Sequence, residues 1–182
     1  FDDIQASARE INDIVQNVLV SFRLSDGRQT LWLESVDVQS VLDRVLHETS
    51  RKADAKGQTL EFSVPEDLPE ITADRVALHG ILYNLVDNAI KFAPRGGIVS
   101  VRASANPVRV VVSDSGPGIR EEDRARLFGR FERLSARPTG GESTTGLGLY
   151  VAKELALMQG FDLECAGDVR GGVFALTVRG RA

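Results

Sequence analysis

Residues 78–92 place the tightest constraint on how this chain can fold. The stretch reads Leu-His-Gly-Ile-Leu-Tyr-Asn-Leu-Val-Asp-Asn-Ala-Ile-Lys-Phe. Leu78, Ile81, Leu82, Leu85 and Ala89 recur at helical spacing and share one side. Such a side has to be covered by another layer of structure. Asn84, Asn88 and Lys91 fall at i, i+4 and i+7, one stripe on the other side. A solvated face is expected to carry Glu, Lys and Arg, which are better helix formers than Asn. Two carboxamides and an ammonium in line suit a face turned to a polar, phosphate-bearing ligand. A solvent face that happens to carry two Asn is the alternative, and the stretch alone does not separate the two.

The rest of the chain supplies the covering layer. Residues 1–24 read as one helix with an a/d seam of Ile4, Ala8, Ile11, Val15, Val18 and Phe22, widened by Ile14 and Leu19. That seam predicts a dimeric coiled coil or four-helix bundle, with flat packing on the following domain as the alternative. Ser25-Asp26-Gly27 is a helix stop and hinge, which puts a domain boundary near Arg28 and divides the chain into 1–27 and 28–182. Beyond it, strand and helix patterns are mixed. Residues 29–36 have strand character, Asp37 is a good N-cap for a helix to about Ala55, and Thr59 to Val64 alternates as a half-buried strand. Ile71 fits a short strand and Asp74 starts the helix that ends at Phe92. Two strands, 98–104 and 108–113, join across Ala105-Asn106-Pro107. A helix follows over 146–158, then strands over 161–166 and 173–178. The expectation is an α/β (α+β) two-layer sandwich: a mixed sheet of about five strands covered by three helices, preceded by one bundle helix.

Composition removes several function classes. A net charge of −4 gives no global basic signal for nucleic acid. Cys165 is the one cysteine, so there is no internal disulfide and no Cys/His metal spacing; a buried inert thiol is expected. No apolar run approaches a membrane span and no signal peptide is visible. The first residue is Phe1, which points to a fragment of a longer protein; this region is expected to be cytoplasmic, and membrane anchoring of the full protein stays open.

Three further stretches carry chemistry. Asp114-Ser115-Gly116-Pro117-Gly118-Ile119 follows a strand directly. A carboxylate there can accept a hydrogen bond from a base's amino group, while the glycines let backbone pass close to a flat ligand; a tight turn is the alternative. Thr144-Thr145-Gly146-Leu147-Gly148-Leu149 opens the last helix, where exposed N–H groups and the positive dipole end favour an anion. It lacks the Gly-Lys-Ser/Thr of a P-loop, and a closely packed helix start is the alternative. Between them lies Leu127-Phe128-Gly129-Arg130-Phe131-Glu132-Arg133. Phe128 and Phe131 at i and i+3 could pin the segment, and Arg130 and Arg133 at the same spacing could face one anion; a salt-bridged surface helix is the alternative. Pro138 and Gly140-Gly141 suit a mobile lid.

Taken in order, the Asn-bearing helix, the Asp-x-Gly-x-Gly turn, the Phe-x-x-Phe segment and the Gly-x-Gly helix start resemble the N, G1, F and G2 boxes of the sensor histidine kinases. These share a superfamily with the gyrase, HSP90 and MutL ATPases. The resemblance covers roughly residues 29–180 and implies a Bergerat-type ATP-binding fold with ATP and Mg²⁺ as ligands. It implies that Asn88 holds Mg²⁺, that Lys91 contacts the phosphates and that Phe92 lies near the nucleotide. Asp114 would accept from the adenine amino group, with Gly116, Gly118 and Ile119 lining the base pocket. Arg130 would meet the γ-phosphate, assisted by Arg133, and Thr145, Gly146, Leu147, Gly148 and Leu149 would close the lid. Asn84 stands where the hydrolysing relatives carry a Glu that activates water. A carboxamide cannot act as that base, so phosphoryl transfer to a protein side chain is expected instead of hydrolysis.

The resemblance further implies a histidine-bearing dimerisation domain, a homodimer formed through residues 1–24, and a response regulator receiver domain as partners. The sequence departs from the family pattern at Thr144, where the first glycine is usual, and at Phe92, where Tyr is common. The phosphoacceptor motif is absent; His47 and His79 read as structural or surface residues. A nucleotide-binding regulatory module that acts by docking is the alternative function, and a free-standing ATPase is disfavoured by Asn84.

Overall fold

The computed structural model describes residues 15, 17–22, 26, 30–132, 134–142, 144–167 and 171–179. Residues 1–14 of the expected N-terminal helix, the expected boundary at Arg28, and Arg133 lie outside them. Residues 17–22 are helical, with Phe22 exposed and Ser21 buried.

The first element, β1 (Glu34–Val36), pairs antiparallel with β3 (Ile71–Ala73) in a small ribbon apart from the main sheet. Helix α1 (Val38–Ala55) starts where the Asp37 carboxylate accepts the Gln39 N–H, the N-cap the sequence predicts. Val38, Val41, Leu42 and Val45 recur at three- and four-residue spacing on its buried side. Helix α2 (Arg75–Phe92) carries the stretch of interest. One oxygen of its N-cap Asp74 accepts the Ala77 N–H at 2.8 Å, and the other accepts the Trp32 N–H at 2.7 Å. The helix start is thereby tied to the chain leading into β1.

The main sheet has the order β2-β4-β5-β7-β6, with β2 (Thr59–Ser63), β4 (Ile98–Ala105), β5 (Val108–Asp114), β6 (Asp162–Cys165) and β7 (Val173–Thr177). β2 runs parallel to β4, and the other neighbours are antiparallel. Between β5 and β6 come the one-turn helix α3 (Glu121–Arg124) and helix α4 (Gly148–Met158). The three long helices form one layer, with α2 in the middle packed on both α1 and α4. This is the expected two-layer sandwich. Val99, Val101, Val110, Val112, Phe174 and Leu176 meet Ile81, Leu82 and Leu85 in one core. Each of those three α2 side chains is fully buried, worth about 1.5–3 kcal/mol of transfer free energy apiece.

Two expectations change in detail. Phe62 in β2 is 40% exposed, because β2 is an edge strand with one neighbour. Cys165 is half-buried against the core from β6. His47 is exposed, and His79 stacks on Tyr83 and bonds Glu48 at 2.9 Å, the surface and structural roles expected of them. Among the described residues no helix is long and apolar enough to cross a membrane.

Candidate functional site

Because the apolar side of α2 is locked into the core, its polar stripe has one place to go. Asn84, Asn88, Lys91 and Phe92 stand half-buried in the wall of a cavity of about 520 Å³, a size that suits a small ligand. The Asn84 amide donates to Gly80 O at 2.9 Å, back along its own helix. Its carboxamide oxygen then meets Gly148, where a Cβ would stand only 2.9 Å away. A glycine at that position lets the first turn of α4 reach α2.

The charge on this wall is organised around Asp87, which is 8% exposed. Lys52, from α1, donates to one carboxylate oxygen at 2.6 Å and to the Tyr83 hydroxyl at 2.9 Å. Lys91 lies 2.8 Å from the other oxygen. Burial opposes ionisation of Asp87, but the charges of Lys91 and Lys52 outweigh it and hold the carboxyl below its ordinary value. Burial likewise opposes the charge on Lys52, and Asp87 outweighs it, so the ammonium is held above its ordinary value. Sequence reasoning missed Lys52, Asp87 and Tyr83. Their signal appears only once α1 is packed on α2.

Asp114, at the end of β5, lines the far side of the cavity with Pro117, Gly118 and Ile119. It accepts the Gly116 N–H at 2.7 Å, so Gly116 positions the carboxylate from outside the lining. Burial raises the Asp114 carboxyl above its usual range, with backbone hydrogen bonds from Gly116 and Gly172 opposing the rise.

Thr144, Thr145, Gly146, Gly148 and Leu149 form the rim at the start of α4. Thr145 Oγ1 accepts the Leu147 N–H at 3.3 Å. Leu147 itself is fully buried and belongs to the core. The backbone at Thr144 is not left-handed; the positive φ of this turn, +69°, falls on Gly146. A β-branched residue therefore sits at 144 without backbone strain.

The segment between the two glycine turns departs from expectation. Helix α3 ends at Arg124, so i, i+3 spacing does not put Phe128 and Phe131 on one side. Phe128 packs edge-to-face on Phe174, with centroids 6.4 Å apart. Phe131 is 58% exposed with φ +61°. Arg130 is not among the lining residues. Its guanidinium lies 5.4 Å from the Phe22 ring centroid and 5.1 Å from that of Phe131. Arg133 lies outside the described residues.

A buried lysine anchors the segment around 139–142. Lys56 Nζ reaches Ile90 O at 2.7 Å, Lys91 O at 3.0 Å, Thr139 Oγ1 at 2.8 Å and Glu142 at 3.0 Å. The end of α1, the end of α2 and the segment around 139–142 thus meet at one ammonium. Among the described residues no group of three or more His, Cys, Asp or Glu could hold a metal ion. A cation here would have to draw on a carboxamide and on oxygens that a ligand or water brings.

A family model described as histidine kinase-, DNA gyrase B-, and HSP90-like ATPase matches residues 73–180. The signal transduction histidine-protein kinase BarA of Escherichia coli K12 is 34% identical over 172 residues, 90% of this chain and 18% of BarA. The crystal structure of full-length ShkA in complex with AMPPNP is similar with a TM-score of 0.78 at 30% identity, over 100% of this chain and 40% of that one. The mycobacterial sensor histidine kinase MprB is similar with a TM-score of 0.71 at 30% identity, over 81% of this chain and 99% of that one. The chain therefore spans about a fifth of the length of BarA and two fifths of ShkA.

Proposed function

The chain belongs to the histidine kinase-, DNA gyrase B-, and HSP90-like ATPase family, on its sensor histidine kinase side, and from that premise we propose that it binds Mg-ATP and passes the γ-phosphoryl group to a histidine of a dimerisation domain. In the reaction, the bond from the γ-phosphorus to the bridging oxygen breaks and a phosphorus–nitrogen bond to the acceptor imidazole forms, with ADP leaving. Asn88 offers a carboxamide oxygen, a hard ligand suited to Mg²⁺. When bound, the ion neutralises charge on the phosphates. Lys91 and Lys52, held together by Asp87, set positive charge beside them, and Asp114 receives the adenine amino group.

The observation that carries transfer over hydrolysis concerns α2. Position 84 is a carboxamide whose amide is engaged by Gly80 O. Asp87, the single carboxylate of α2, is neutralised by two lysines. Neither can take a proton from water at neutral pH. In this reading residues 1–27 end the dimerisation domain of a homodimer, residues 28–182 are the catalytic domain, and a response regulator receiver domain is the downstream partner. Arg130 would reach the γ-phosphate only with the segment around 139–142 rearranged, and Arg133 is proposed to assist it.

The position of Arg130 favours a second reading, a nucleotide-binding module that signals by docking. One experiment separates the two: incubation with γ-labelled ATP, Mg²⁺ and a histidine-bearing dimerisation domain. Acid-labile label on that domain is expected. Measurable ATP binding with no label would sink the kinase reading in favour of the docking module.

A further inference from the structure

Asp114 is the last residue of β5, which pairs antiparallel with β7 through Ser113 opposite Val173. One step further along that register Asp114 faces Gly172, and the Asp114 N–H donates to Gly172 O at 3.0 Å. Residues opposed in an antiparallel pair send their side chains to the same face. Gly172 and Phe174, two residues apart, accordingly both border the cavity together with Asp114. A side chain at 172 would share the space of the Asp114 carboxylate: a Cβ there falls 2.4 Å from Oδ2. The other oxygen, Oδ1, is fixed by the Gly116 N–H at 2.7 Å. Gly116 in turn lies so close to Oδ1 and to Phe92 O that a Cβ on it would be 2.6 Å from each. Oδ1 is thus held by backbone on one side, and a new side chain at 172 could be accommodated only by moving Oδ2 from its present direction.

From this we propose that Gly172 is a specificity-determining residue. By carrying no side chain it keeps Asp114 Oδ2 aimed into the cavity and sets how deeply a purine seats. The proposal rests on the reading of the cavity as an adenine-nucleotide site. A carboxylate accepts a hydrogen bond from a 6-amino group, whereas a 6-oxo group meets it lone pair to lone pair. The direction of Oδ2 therefore decides between adenine and hypoxanthine nucleotides.

The test is the ratio of affinities for ATP and inosine triphosphate, measured by competition for the wild type and for Gly172→Ala. The wild type is expected to prefer ATP by about 100-fold or more. Gly172→Ala is expected to cut that ratio by about tenfold or more, chiefly through weaker ATP binding. A smaller folded population scales both affinities by the same fraction, so the ratio remains readable in a destabilised variant. A wild-type ratio near one would overturn the adenine reading of Asp114 itself. A wild-type preference that persists unchanged in Gly172→Ala would overturn the role of Gly172 alone. Loss of both the native circular-dichroism spectrum and all nucleotide binding in Gly172→Ala would also overturn it, by making the position one of folding.

Discussion

At the scale of single residues, Asp87 shows how chemistry can hide in an ordinary helix pattern. From the sequence it is one acid on an amphipathic helix; in the fold it holds Lys52 and Lys91 side by side. Its carboxyl sits below its ordinary value, so its stabilising contribution is present above the unfolded value of about 3.9 and is lost as pH falls through the folded one. Lys52 has the opposite sign: its raised value gives a contribution complete below about pH 10.4 and lost as pH rises past that point. Asp87→Asn should lower stability between about pH 5 and pH 9. The cost should be about 2–3 kcal/mol, at or below the low end for a broken buried pair, because the Lys52 side chain is 36% exposed. Thermal melts across pH would check this. The gap between variant and wild type should narrow below pH ~4; a gap of constant size down to pH ~3 would contradict the pairing.

At the scale of elements, legibility followed locality. The Asp37 and Asp74 caps, the buried side of α2 and the β4–β5 hairpin rest on neighbours within a few residues, and all were readable. The Asp114 turn and the start of α4 were readable as turns for the same reason, and both border the cavity. The split of Phe128 from Phe131 was not, since it depends on α3 stopping after one turn. Nor was the role of Lys56, which looks like the cationic end of α1 and acts on a segment more than 80 residues away. Its side chain is 6% exposed, so removing the ammonium leaves several buried acceptors without their donor. Lys56→Met is expected to destabilise by about 3 kcal/mol and to free the segment around 139–142. Limited proteolysis should then cut within that segment faster than in the wild type. Unchanged cleavage there would show that the ammonium does not anchor that segment.

At the scale of the whole molecule, the cavity has walls from every layer: α1 and α2, the ends of β5 and β7, the start of α4 and the segment before it. No single stretch specifies it, which is why each motif was ambiguous alone and why their order was informative. A ligand that touches all of these walls would tie them into one unit, and binding should raise the melting temperature in proportion to occupancy. The stripe of Asn84, Asn88 and Lys91 is proposed as a ligand face and not a solvent face. Its most direct test is the affinity for ATP with and without Mg²⁺, in the wild type and in Asn88→Ala. The wild type should bind about tenfold or more tightly with Mg²⁺, and Asn88→Ala should lose that advantage. An equal gain from Mg²⁺ in both proteins would remove Asn88 from the metal and return the stripe to the solvent.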